Sequence, residues 1–201
     1  CDTAEAAQVR RLVSFAERPM TGVWHAAGVL ADGVLPKQSA ASLARVCGPK
    51  THGAWTLQLA SAATPLRMYA LFSSAAALRG GAGQANYAGA NASLDALSAC
   101  RKAQGGNAAS VQWGPWAEVG MAARGGAAAE RVAAMEAKTG LGRIGMAQGL
   151  LALGTAVRHG GPFVLSGLPV QWHRLIPALG GDAAPTLLSE LAPRSVGAPS
   201  S

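Results

Sequence analysis

Four polar side chains, Ser74, Tyr87, Asn91 and Lys50, are spaced so that a chain of alternating strands and helices could bring them together. Tyr87 and Asn91 are four residues apart on a predicted helix and so share a face. Ser74 closes an apolar run that begins at Met68, and the Gly-rich stretch Gly80-Gly81-Ala82-Gly83 leads from it to the Tyr87 helix. Lys50 opens an earlier predicted helix and can reach the same place. A hydroxyl, a phenol, an ammonium and an amide in one place suit the reduction of a carbonyl. Hydride addition at carbon leaves negative charge on oxygen. Ser74 can donate a hydrogen bond to that oxygen, and Tyr87 can pass it a proton as general acid. A free phenol titrates near about 10, and a neighbouring Lys50 ammonium would lower that value. Asn91 can hold Lys50 or a water. Each residue also has a plainer use. A tyrosine early in a helix commonly packs, a serine pair after a strand commonly turns or caps, and Lys50 and Asn91 could be surface groups. The joint placement is what points to chemistry.

The elements that must position these residues alternate. The pattern predicts a helix over 2–17, a short strand over 21–28 and a loop over 29–37. Ser39 caps a helix running to about Val46. Gly48-Pro49 is expected to stop it and to start the next helix, which runs to about Ala62. The run from Met68 to Phe72 is apolar without alternation, as in a parallel strand covered on both faces. A helix over 84–101, a strand over 108–113, helices over 122–138 and 142–157, and a strand over 162–166 follow. Such alternation argues for an α/β fold, an open parallel sheet of Rossmann type with helices on both faces. Ligands sit at the carboxyl ends of the strands in such sheets. Ala26-Ala27-Gly28, Ser73-Ser74 and Gly114-Pro115 all fall at strand ends.

The 201 residues are half apolar and only 13% charged, which suits one packed domain rather than a disordered chain. The chain opens on Cys1 in mid-pattern and reads as a segment of a longer protein, with no signal peptide and no run long enough to span a bilayer. The net charge is +7. The basic residues are scattered and no aromatics interleave with them, so solvated helix faces or a phosphate-bearing ligand fit better than nucleic acid. Cys1, Cys47 and Cys100 have neither metal-ligand nor disulfide-framework spacing, which fits a reducing, cytoplasmic setting. No metal site is expected. Residues 180–201 are Pro-, Ala- and Ser-rich and read as a linker.

The stretches from His25 to Leu30, Pro49-Lys50, Leu71 to Ser74, Gly83 to Leu97 and Trp113 to Trp116 resemble the ketoreductase domains of type I polyketide synthases, over residues 1–179. These belong to the short-chain dehydrogenase/reductase superfamily, most of which carries Tyr-x-x-x-Lys. Here Asn91 stands at that lysine's position and Lys50 where those enzymes place an asparagine, an exchange that marks the polyketide and animal-type fatty acid synthase reductases.

The resemblance implies NADPH-dependent reduction of a 3-ketoacyl group tethered to an acyl carrier protein, alongside other synthase domains of the same polypeptide. It makes Tyr87 the proton donor, Ser74 the carbonyl-orienting hydroxyl, Lys50 the ligand of the nicotinamide ribose and Asn91 the fourth member. It places Asp2 and Thr3 at adenine, Ala26, Ala27 and Gly28 along the ribose, and Gly114, Pro115, Trp116 and Met121 beside the nicotinamide. It reads residues 122–138 as a lid helix and 180–201 as a linker toward a carrier domain. The family's opening strands and pyrophosphate-binding Gly-rich turn are expected before Cys1. Leu30-Ala31-Asp32 keeps the last acid of a Leu-Asp-Asp signature. With Asn86 before the tyrosine and no tryptophan between Ser74 and Tyr87, it implies a D-configured product. Two alternatives are a fatty acid synthase ketoreductase and a silent structural subdomain.

Overall fold

The computed structural model describes residues 1–15, 18–120, 126–179 and 188. They form two compact units, one of residues 1–114 with 147–167, the other of residues 115–146 with 168–201.

The first unit is built on four parallel strands, β1 (Gly22–His25), β2 (Met68–Ser74), β3 (Ala108–Trp113) and β4 (Val164–Gly167), side by side in chain order. Gly22 pairs with Met68, Tyr69 with Ala108 and Ser110 with Val164. Every residue of β3 and five of the seven in β2 are buried, which is why neither alternates polar with apolar. Because all four strands run the same way, the ends carrying Ala26, Ser74 and Gly114 fall on one edge of the sheet.

Helices α1 (Ala6–Ser14), α2 (Ala40–Cys47), α3 (Gly53–Ala60), α4 (Ala75–Arg79), α5 (Ala85–Ala103) and α7 (Met146–Val157) flank the sheet. One cluster packs Val23, Leu71 and Tyr69 of the strands on Ala54 of α3 and Leu94 of α5. The Tyr69 hydroxyl donates to the Ala54 carbonyl at 2.6 Å. A second cluster joins Val46 of α2, Ala76 of α4, and Tyr87 and Ala90 of α5. Burying such apolar surface is worth about 25 cal/mol per Å². The Tyr87 backbone is thereby fixed from two sides.

Ser39 caps α2 as expected, in a full capping box with Ser42. The break expected at Gly48-Pro49 does not occur. The chain continues as a π-helical turn, Gly48–His52, straight into α3. Pro49 has no N–H and its ring clashes with the carbonyl four residues back, and the wider turn takes up both. Helix α1 is shorter than expected, because the Asp2 carboxylate and carbonyl accept from Ala4 and Glu5 in a turn before it. Helix α4 was not expected; it is five residues long, and Ser74 caps it through the Ala76 N–H at 3.2 Å.

The second unit contains α6 (Gly126–Thr139) and α8 (Trp172–Ala178), which pack together. Bridges pair Trp116 with Ile144 and Leu141 with Val170, and Leu141, Ile144, Leu175 and Ile176 are buried. The helix expected from Gly142 begins only at Met146, because residues 141–144 make these bridges instead. Helix α8 was not expected either, since Pro177 near its end argues against a helix. The linker expected over 180–201 lies outside the described residues, Leu188 excepted.

Candidate active site

Tyr87 lies in the first turn of α5, and Asn91 one turn on. Tyr87 is 8% exposed and Asn91 is fully buried. The Asn91 amide donates to the Tyr87 carbonyl at 2.8 Å, and the Ser73 hydroxyl donates to the Asn91 carbonyl at 3.2 Å. These bonds tie the first turns of α5 to the end of β2. Asn91 Oδ1 is buried with no partner among the described residues.

Lys50 is 4% exposed, inside the π-helical turn. Its ammonium donates to the Phe72 carbonyl of β2 at 2.9 Å and stands 5.7 Å from the centre of the Tyr87 ring. The turn is tied to α5 by a Thr51–Ser93 hydroxyl pair at 2.8 Å. Gly28 makes room for the lysine, since a Cβ there would lie 2.8 Å from Lys50 Cε. Burial lowers the Lys50 pKa to about 8, with the negative charge of Asp95 acting in the opposite direction.

The structure thus brings Ser74, Tyr87, Asn91 and Lys50 to one sheet edge. It differs from the sequence reading in how the phenol is tuned. Burial raises the Tyr87 pKa, and the side chains of Ser74 and Asn91, as hydrogen-bond partners, draw it back down, while Asp32 adds to the rise. The Lys50 ammonium is committed to the Phe72 carbonyl. Tyr87 is therefore a protonated phenol at neutral pH, the form a proton donor needs.

The other expected residues fall as follows. Ala26 and Ala27 are exposed just past β1, and Gly28 follows. Thr3 lies against Gly53 of α3, where a Cβ would collide with the Thr3 hydroxyl. Asp2 is exposed. Gly114 follows β3 in the first unit, and Pro115 and Trp116 open the second. Met121 lies outside the described residues. Asn86 is buried; its amide donates to the Ala31 carbonyl and its Oδ1 accepts from the Tyr87 N–H, both at 2.8 Å. Asp32, beside Ala31, accepts from the Gln84 amide at 3.4 Å. The loop before Gly33 is further held by a Gly33 N–H to Gly83 carbonyl bond of 2.8 Å.

Sequence reasoning missed Asp95, whose carboxylate accepts from Ser110 at 2.5 Å and Gln112 at 2.8 Å. The signal was available, because Tyr87, Asn91 and Asp95 recur every four residues on one helix.

The KR domain family model matches residues 1–118. The polyketide synthase GfsB of Streptomyces halstedii is 42% identical over 180 residues, covering 89% of this chain and 3% of that protein. A structure described as an A-type ketoreductase from a modular polyketide synthase superposes with a TM-score of 0.84 at 31% identity, over 94% of this chain and 39% of that one. The first ketoreductase of the tylosin synthase superposes with a TM-score of 0.77 at 36% identity, over 89% of this chain and 38% of that one. The chain thus spans well under half of each of these relatives. Since the family model covers more than half of its length, the chain belongs to the KR domain family, the ketoreductases of modular polyketide synthases.

Proposed function

We propose that this chain acts within a polyketide synthase, using NADPH to reduce a 3-ketoacyl group on an acyl carrier protein to a D-3-hydroxyacyl group. The observation that carries this reading is the buried Lys50 ammonium, set beside the Tyr87 phenol at a strand edge that also holds Ser74 and Asn91.

The residues present fit a nicotinamide cofactor. Lys50 spends one of its three N–H groups on Phe72, leaving others for ribose hydroxyls. Exposed Ala26 and Ala27 leave an open, small-residue track beside it. Thr3 and Asp2 would take the adenine end. When bound, the nicotinamide supplies the hydride.

The chain's own groups do the rest. Ser74 donates to the ketone oxygen and fixes its direction. Tyr87 gives that oxygen its proton as charge develops there, which a phenol kept protonated by burial is ready to do. The tyrosinate left behind is stabilised by the same Ser74 and Asn91 hydrogen bonds that lower the phenol's pKa. Asn91 Oδ1 is free to hold a water against Lys50. Asn86 and Asp32 pin the loop over 31–33 to the start of α5, which supports their assignment to stereocontrol.

Tyr87→Phe in the full-length protein tests the reading. Reduction of a 3-ketoacyl thioester with NADPH is expected to fall by about 10²-fold or more, with the melting temperature kept. Retained turnover would refute the role of Tyr87. Chiral chromatography of the wild-type product tests the configuration, and an L-3-hydroxy product would overturn it. Comparing kcat/KM for NADPH and NADH tests the cofactor.

A further inference from the structure

Three bonds hold residues 31–33 to the stretch just before Tyr87. The Asn86 amide donates to the Ala31 carbonyl at 2.8 Å, the Gln84 amide to the Asp32 carboxylate at 3.4 Å, and the Gly33 N–H to the Gly83 carbonyl at 2.8 Å. All three run to residues 83–86, which follow a turn with Gly80 at φ 74° and Gly83 at φ 73°. Two turns fastened to each other can still shift together unless a third point holds them. Leu30 and Ala31 pack on the cluster of Val46, Tyr87 and Ala90, which anchors the start of the loop. Its outer end, where Asp32 is exposed, needs an anchor of its own.

Gln38 supplies it. Its Nε2 donates to the Gly33 carbonyl at 2.8 Å, and its Oε1 accepts from the Ser42 hydroxyl of α2 at 2.8 Å. That hydroxyl also accepts the Ser39 N–H at 2.9 Å in the capping box, and has the Ser39 carbonyl at 2.9 Å as a second acceptor. One side-chain amide thus joins Gly33 to the first turn of α2. Its orientation is forced, because a carbonyl can only accept and the nitrogen must therefore face Gly33. Between the two ends a 3-10 turn, Leu35–Lys37, points outward, with Leu35 exposed. Gln38 is half-buried, so water competes only in part for its two bonds.

We propose that Gln38 is a positioning residue for product configuration: it clamps the outer end of the loop over 31–33 to α2, and so fixes the wall that decides which face of the ketone meets the hydride. The proposal rests on the assignment of Asp32 and Asn86 to stereocontrol above. Product configuration is set by the difference between two transition-state free energies, one for each face. A wall that gives way lowers that difference even while the proton donor stays in place. Gln38 acts through the loop and not on the substrate.

The test is chiral chromatography of the 3-hydroxy product that the full-length protein forms from a 3-ketoacyl thioester, with amide hydrogen exchange over residues 31–38 measured alongside. Gln38→Glu keeps the shape and the Ser42 partner but turns an oxygen on the Gly33 carbonyl. Gln38→Leu removes both bonds and adds no charge. Both are expected to speed exchange in the loop. Both are also expected to lower the ratio of major to minor configuration about fivefold or more, the worth of one hydrogen bond. A loss of stability alone would lower turnover without moving that ratio. Variants that loosen the loop but keep the wild-type ratio would make Gln38 merely structural and overturn the proposal, as would variants that change neither. Asn86→Ala separates this from failure of the underlying reading. If Asn86→Ala and both Gln38 variants all keep a single configuration, the stereocontrol assignment falls and the proposal with it. If Asn86→Ala gives a mixture while both Gln38 variants keep the wild-type ratio, only the proposal falls.

Discussion

Replacing Lys50 by methionine is expected to make the protein more stable at neutral pH while removing its chemistry. Burial lowers the Lys50 pKa from 10.5 to about 8. At about 1.4 kcal/mol per tenfold change, holding the ammonium in the folded state costs about 3 kcal/mol at pH 7. Methionine has a similar shape and no charge, so it removes that cost. It also leaves the Phe72 carbonyl without the Lys50 hydrogen bond, a loss of about 1 kcal/mol. The net gain at pH 7 is about 2 kcal/mol. The sign with pH follows from proton counts. Between about pH 8 and 10.5 the unfolded lysine holds its proton while the folded one has given it up. Wild-type stability therefore rises with pH across that window, and by pH 9.5 about 2 kcal/mol of the difference has closed. Equilibrium denaturation of both proteins at pH 7 and pH 9.5 reads this directly. A Lys50→Met protein less stable than wild type at pH 7, or a difference that does not change with pH, would refute a desolvated ammonium at this position.

Other outcomes follow from the same geometry. Gly28→Ala places a Cβ 2.8 Å from Lys50 Cε; displacing the lysine is expected to cost about 1–3 kcal/mol of stability and to lower kcat/KM about tenfold or more, measured by denaturation and by thioester reduction. Tyr69→Phe removes the hydroxyl bound to the Ala54 carbonyl and is expected to cost about 1 kcal/mol while leaving turnover in place, so that of the chain's two tyrosines only Tyr87 proves catalytic. Asn86→Ala releases the Ala31 carbonyl from α5 and is expected to yield a mixture of hydroxyl configurations on chiral chromatography; a single configuration at the wild-type rate would remove Asn86 from stereocontrol.

The parts of the fold read most directly from sequence are those where residue type and position determine the outcome together. Strand β3 falls on residues 108–113 as expected, because six consecutive positions are buried in a covered strand, with the polar Ser110 and Gln112 satisfied by Asp95. Ser39 announces α2 because a cap is a local hydrogen bond. The juxtaposition of the four candidate residues was legible because Tyr87 and Asn91 share a helix face, while Ser74 and Lys50 stand at predicted element ends. Elements whose formation depends on distant partners were not. Helix α8 carries a proline, and the bridges at Trp116 and Leu141 depend on residues more than twenty positions away.

The misread junction at Gly48-Pro49 bears most on the chemistry. A proline after a glycine reads as a stop, and a stop would leave Lys50 at an exposed helix start, free to swing and to keep its ordinary affinity for protons. The π-helical turn does the opposite. It carries the helix through the proline, buries the lysine stem beside Gly28 and fixes its ammonium on the Phe72 carbonyl. The same burial that makes Lys50 rigid also weakens its hold on its proton. The identity of the lysine was legible because it is a matter of residue type. Its strained protonation is a property of the turn that encloses it, and no reading of single positions contains that.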